Sequence, residues 1–513
     1  MIRRILALHL LLLLLGPRSS FAYSLPTGFF LEPVVGGPFV GAPVAFTFLP
    51  DGRILLTEQY TGNVRLSTVG SGTSTLLFTV PDVNGTAGTE RGLLGIVVDP
   101  AWPARPYVYF YYSHTGNVSY LTMYTVSGSL TDPSSANLTF GSPYFLLTDI
   151  PDVTTFHNGG TLRFGKDGML LLSVGDDGAS CAAQNENVPA GKILRLNIAA
   201  MPGGGSGPPP KSALVAPDHP LDSGDNARLV GAWGVRNPFR FTVDALTGNA
   251  VIGDVGLDTQ EEIDLLLPKA LGPNYGWPQL EGTINPMCCG PCGIGNIFTA
   301  PIYTYNHTGT QAIIAGPILR APASGPPGFP SEYWGDIFLT DYYGAWIRRL
   351  KESAGTWSIA PQVAGQPSAT DWAIQLPWIS DFQLGPDGFA YILQQFGGTQ
   401  GVNRIGQDVV LDAGQVAAIE KPFLSVFPSP ARIGETIQFQ WPVHASGKVK
   451  LTIRDVAGRV VRVLPATANS DALPRAEWDG RAANGRPVAA GTYFAKLESE
   501  RGTIETAKIV LLR

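Results

Sequence analysis

Charge is scarce in this sequence. Asp, Glu, Lys and Arg make up 15% of its 513 residues, the net balance is −6, and no basic cluster stands out. Without a basic patch the chain lacks the electrostatic footprint of a nucleic-acid binder, so no nucleic-acid partner is expected. Long helical periodicity is missing beyond the N-terminus, and no later segment is apolar enough to cross a membrane. Cysteine is limited to Cys181, Cys288, Cys289 and Cys292. Three clustered thiols with no nearby histidine make a weak zinc site. One or two disulfides stapling long loops, in an oxidising compartment, are the expectation instead.

Turn residues are plentiful: 61 Gly and 43 Pro. They favour many short strands joined by turns over helices, and the length suggests two to four domains. The opening MIRRILALHLLLLLLGPRSSFA has two arginines, an apolar run from Ile5 to Leu15 and a small-x-small end at Ser20-Phe21-Ala22. That is the grammar of a secretory signal over residues 1–22, cleaved after Ala22. An uncleaved anchor is the rival, but the run is short for a bilayer.

From Tyr23 a phrase recurs: apolar residue, Asp-Gly turn, strand. It reads FLPDGRILLTEQ at Phe48–Gln59, FGKDGMLLLSVGD at Phe164–Asp176 and LGPDGFAYILQQ at Leu384–Gln395. Degenerate repetition with long inserted loops is how a β-propeller looks in sequence. Six blades over residues 23–407 would average about 64 residues each. A β-sandwich array is the alternative, and it leaves unexplained why polar clusters recur after the same strand type. Residues 408–422 read as a linker. Residues 423–513 carry their own alternating pattern with Asx-Gly turns, as a small immunoglobulin-like β-sandwich does, with Trp478 as its core aromatic. The fold class expected is therefore all-β, a six-bladed propeller followed by a sandwich.

The stretch Phe156–Asp177, FHNGGTLRFGKDGMLLLSVGDD, holds the most pointed chemistry. A hairpin turning at Asp167-Gly168 would bring His157, at the mouth of one strand, to the same sheet edge as Asp176-Asp177, just past the end of its partner. Imidazole is the side chain that ordinarily titrates near neutral pH, and a carboxylate beside it fixes its tautomer. The plainer alternatives are a loop histidine satisfied by backbone groups and an acidic pair that merely ends a strand.

Several ordered phrases carry a family resemblance: ERGLLGIVVDP from Glu90, the HNGG…FGKDG…SVGDDG core, GKILRLN, GVRNPFRF, GDVGLDTQEEID and NYGWPQLEG. Residues from about 41 to 406 resemble the glucose/sorbosone dehydrogenase family, soluble quinoproteins with a six-bladed propeller. Val426–Leu497 resembles the FlgD-type immunoglobulin-like domain of secreted bacterial proteins. The first resemblance implies oxidation of a sugar's anomeric carbon to a lactone, using pyrroloquinoline quinone (PQQ), Ca2+ and an external electron acceptor. It implies that His157 is the base, that Asp176 orients it, and that Arg236 acts on the developing charge. It further implies cofactor contacts from Glu90, Asn158, Arg236 and Asn237. Calcium ligands are implied at the backbone of Gly256 and Leu257, with Glu261 or Glu262 close by. The second resemblance implies a secreted, extracellular, periplasmic or cell-surface bacterial protein that contacts surface or secretion machinery.

One departure bears on the cofactor. Sugar-oxidising members grip its three carboxylates with a lysine and a closely spaced arginine pair. Here the pair's place reads Trp378-Ile379-Ser380-Asp381, and the lysine's place falls near Tyr342-Tyr343. Losing charge-assisted contacts of about 1.5–3 kcal/mol each weakens cofactor binding by orders of magnitude. The hedgehog-interacting-protein-like branch has a similar phrase there. A non-catalytic extracellular binding propeller that has lost PQQ is therefore the alternative function. Lys192, Arg195, Arg348 and Arg349 are the cations that would rescue the enzyme reading by lining the mouth. Hydrolysis of a lactone would need a ring of carboxylates around a metal.

Overall fold

The computed structural model describes residues 23–201, 205–268, 272–285, 292, 297–322 and 328–407. Towards the C-terminus it describes 425–427, 431–432, 434–440, 450–456, 458–464, 475–499 and 502–512. The expected signal at 1–22, the linker at 408–422, Cys288 and Cys289 lie outside the described residues. The chain divides into two compact units, Met1–Val409 and Val410–Arg513. No helix among the described residues is long and apolar enough to cross a membrane.

The first unit is a six-bladed β-propeller of antiparallel sheets, four-stranded except in blade 5, where Asp371–Ile374 adds a fifth strand. Each blade starts with an inner strand: Pro43–Phe48, Leu93–Val98, Leu162–Phe164, Arg240–Val243, Ile313–Ile318 and Ile379–Leu384. The Asp-Gly turns anticipated in blades 1, 3 and 6 join the inner strand to the second one. In blade 3 the pairing of Leu162 with Leu172 fixes the register. The ring closes in blade 6, where Phe29–Gly36 from the start of the chain pairs with Gly401–Gln407 from the end of the unit.

Strand alternation turns apolar side chains to both faces of each blade, so every blade is glued to its neighbour by a buried cluster. Tyr109, Leu146, Leu172 and Leu194 lie between blades 2 and 3. Phe46, Leu56, Leu393 and Val402 join blades 6 and 1. At the axis, Arg240 is buried. It donates to the carbonyls of Ser380 at 2.7 Å, Val44 at 2.7 Å and Leu94 at 3.4 Å, which belong to other blades.

The second unit contains a three-stranded and a five-stranded sheet. Its core centres on the fully buried Trp478, packed against Tyr493 with ring centroids 5.5 Å apart.

Candidate active site at the propeller mouth

The end of each blade's second strand, and the loop that enters its inner strand, open on one face. Gln59, Glu90, His157, Arg236 and Gln395 meet there around a cavity of about 580 Å³. His157 and Asp176 come together because the blade 3 hairpin puts both at the same edge. His157 Nδ1 lies 2.7 Å from Asp176 Oδ1. Asp176 also accepts N–H groups from Trp277 Nε1 at 2.8 Å and the Gly178 backbone at 2.8 Å. An acceptor-only carboxylate on Nδ1 places the ring proton there and leaves Nε2 for the cavity. His157 holds a positive φ of 62°, a strained backbone of the sort found at functional sites. Its carbonyl would stand 1.9 Å from a Cβ on Gly175, so only glycine fits before Asp176.

Glu90 positions two members of the site. Its Oε2 accepts the His157 backbone N–H at 2.8 Å and Asn237 Nδ2 at 3.0 Å. Arg236 lines the cavity, donates Nη1 to the carbonyls of Val255 at 2.9 Å and Gly256 at 2.6 Å, and lies over the Trp277 ring. Its buried Nε has no hydrogen-bond partner among the described residues. Asn158, in contrast, is turned away from the mouth and donates to Asp152 Oδ1 at 3.0 Å. Asp177 anchors the neighbouring loop by accepting the Val153 and Thr154 N–H groups, each at 2.7 Å. Behind His157, Gln184 holds the Trp277 carbonyl at 2.6 Å. A Cys181–Cys292 disulfide closes the loops that carry them. It is one of the staples expected from the cysteine pattern.

Below the mouth lies a metal-like cluster. Gly256 and Leu257 line the cavity, but the Gly256 carbonyl faces the Arg236 guanidinium. Glu261 and Glu262 are adjacent on one strand, so they point to opposite faces. Glu261 pairs with His307 Nε2 at 2.7 Å and accepts the Ile313 N–H at 3.1 Å. That hydrogen bond raises the His307 pKa, while burial raises that of Glu261. Glu262 turns the other way and joins Asp254 and Asp264, with ligand atoms of all three within 4.8 Å of one another. Among the described residues, Glu262 Oε2, both Asp264 oxygens and the nearby Tyr275 hydroxyl are buried without hydrogen-bond partners. Burial, then the neighbouring carboxylates, hold Glu262 and Asp264 well above the ordinary range, and burial pushes Asp254 up to about 7. Asp254 in turn accepts the Arg236 and Asn237 N–H groups at 2.8 and 2.7 Å. The hard oxygens of this cluster, of which Glu262 Oε2 and both of Asp264 are without hydrogen-bond partners among the described residues, fit calcium. Asp254 and Asp264 were not foreseen from sequence. Asp264 stands two residues past Glu262, and that period was the available signal. Glu281 was also missed: one oxygen accepts four successive N–H groups of residues 257–260 at 2.8–3.0 Å. Burial opposes its charge, yet those N–H groups hold its pKa below the usual value.

The mouth does not fit the tricarboxylate PQQ. Lys192 is buried and donates to the carbonyls of Ala182, Ala183 and Ala190. Arg195 pairs with Asp167 and Asp218, Arg348 with Asp371, and Arg349 with Asp336. Among the described residues Arg236 is the one cationic side chain lining the cavity, and Glu90 stands beside it. Tyr342, Tyr343 and Trp378 instead gather on one wall.

A family profile described as Glucose / Sorbosone dehydrogenase matches residues 40–308, and one described as FlgD Ig-like domain matches residues 433–503. The HIPL2 protein of Arabidopsis thaliana is 29% identical over 243 residues, covering 43% of this chain and 34% of that protein. Quinoprotein glucose dehydrogenase B of Acinetobacter calcoaceticus is 28% identical over 264 residues, covering 47% of this chain and 51% of that protein. The match thus spans a third to a half of these relatives' length. The PQQ-bound aldose sugar dehydrogenase of Streptomyces coelicolor superposes with a TM-score of 0.54 at 21% identity, over 75% of this chain and all of that one, a likeness of fold.

Proposed function

The chain belongs to the glucose/sorbosone dehydrogenase family, and we propose that it is an aldose-dehydrogenase-like oxidoreductase that binds a sugar at the propeller mouth. The observation that carries the reading is the 2.7 Å His157–Asp176 pair opening into the cavity beside Arg236. Nε2 of His157 takes the proton of the anomeric hydroxyl, and Asp176 stabilises the imidazolium that forms. Arg236, which lines the cavity, sets its guanidinium charge beside the oxygen as negative charge develops there. As the C1–H hydride departs to an external two-electron acceptor, a diffusible quinone or redox dye, the C–O bond becomes the lactone carbonyl. No step is assigned to PQQ, because the lining residues give its carboxylates no seat. Calcium belongs with Asp254, Glu262 and Asp264, where it would brace the Arg236–Asn237 turn from behind. The disulfide supports an oxidising, extracytoplasmic location. The FlgD-type domain supports contact with cell-surface or secretion machinery.

The test is reduction of an electron-accepting dye across a panel of aldoses, run without additions, with calcium, and with PQQ plus calcium. Turnover that disappears in His157→Ala is expected. If no aldose reduces dye under any of the three conditions, oxidation falls. The second reading, a non-catalytic extracellular binding propeller, then takes its place, and the observation that favours it is that Arg236 is the single lining cation among the described residues.

A further inference from the structure

The wall opposite the His157–Asp176 pair is aromatic where an anionic cofactor would need cations. Trp378 packs edge-on against Tyr342 and Tyr343, with ring centroids 5.4 and 5.7 Å apart, and lies 6.2 Å from Phe396. These rings come from the ends of two separate blades and from the loop entering the last inner strand. They reproduce in space the two places where the sequence departs from the cation pattern. The faces are not sealed into the core: Tyr343 is 46% exposed and Phe396 38%.

Beneath the wall runs a fixed chain of amides. The Tyr342 hydroxyl donates to Gln395 Oε1 at 2.5 Å, and Gln395 Nε2 donates to Gln59 Oε1 at 2.7 Å. Gln59 is held in turn by the carbonyls of Thr89, Glu90 and Arg91. Aromatic faces carry negative potential and repel carboxylates. Organic cations would suit the rings, but Arg236 and Glu90 both line the cavity and offset each other, so it favours neither sign of charge. An uncharged ligand remains, one with an apolar C–H face for the rings and hydroxyls at its edge for the amides. A pyranose has that form. A cavity of about 580 Å³ leaves room for a second ring beyond the one over His157.

We propose that this wall is a saccharide subsite occupying the place of the cofactor-carboxylate seat, so that the mouth takes a neutral oligosaccharide of two or more rings in preference to a tricarboxylate quinone. The inference rests on the sugar reading above. The sugar ring to be oxidised sits over His157 Nε2, and the next ring stacks on Tyr343 and Trp378.

Titration calorimetry on the full chain tests it with glucose, neutral glucose and xylose disaccharides, and PQQ with calcium. Disaccharides should bind more tightly than their monomers. Tyr343→Ala and Phe396→Ala, both at exposed positions, should each weaken disaccharide binding roughly 3- to 10-fold and leave monosaccharide binding unchanged. Circular dichroism verifies that both variants fold. Micromolar PQQ binding, or disaccharide binding indifferent to both variants, overturns the subsite and leaves sugar oxidation standing. Absence of saccharide binding by the wild-type chain overturns the sugar reading itself.

Discussion

Asp176 decides which nitrogen of His157 faces the cavity. It already accepts the Trp277 indole and the Gly178 N–H, so its remaining interaction, with Nδ1, is the one that sets the ring. An asparagine there could present its NH2 to Nδ1 and turn the imidazole into the wrong tautomer. We expect Asp176→Asn to lower kcat for dye reduction by about 10²- to 10⁴-fold, the usual range for general acid–base catalysis, with KM for the sugar little changed. Nitrogen-15 NMR of the imidazole gives a check independent of turnover: Nδ1–H alone in the wild type and a mixture in the variant. Histidine and aspartate were both legible in the sequence, because an Asp-Gly turn fixes the hairpin register and the register fixes which ends meet. The wall rings were legible only as an absence of cations. That Trp378 and Tyr342 touch follows from blade-to-blade packing across a long sequence separation, which no local pattern carries.

Strand alternation governs the metal-like cluster and shows why half of that expectation could not be resolved from the sequence. Glu261 and Glu262 are neighbours in sequence, yet a period of two sends them to opposite faces, so one could join Asp264 and the other could not. Asp254 enters because it stands directly across the ladder from Glu262. That register is set by the strand pairing of blade 4. Three buried carboxylates in close contact repel one another unless protonated or bridged by a cation. Calcium at about 100 times its Kd should therefore stabilise the propeller by about 2.7 kcal/mol, read as a rise in Tm that a chelator reverses. Asp264→Asn should abolish most of that rise. Glu261→Gln, on the other face, should leave the calcium response in place. Equal responses in both variants would remove the cluster from consideration as the calcium site.

Ring closure at the scale of the whole propeller depends on more than the seam where Phe29–Gly36 meets Gly401–Gln407. Arg240 crosses the axis as a buried hub. Burial lowers its pKa to about 10, which still leaves the guanidinium charged at neutral pH. Its donors reach backbone carbonyls of blades 1, 2 and 6 and the Thr161 hydroxyl of blade 3, while its plane lies 4.0 Å over the Phe239 ring. Nearby, Arg163 of blade 3 pairs with Asp381 of blade 6, which also accepts the Phe46 N–H of blade 1. Arg240→Met keeps much of the side-chain bulk but strands several buried carbonyls, each at about 1–3 kcal/mol. We expect Arg240→Met to lose about 3–5 kcal/mol of stability, by analogy with breaking a buried charge network. The far-UV circular dichroism of the folded variant should remain that of β-sheet, because each blade keeps its own ladder. A melt unchanged from the wild type would show that the interblade apolar clusters close the ring unaided. A lowered and broadened melt would show that the axis couples the blades.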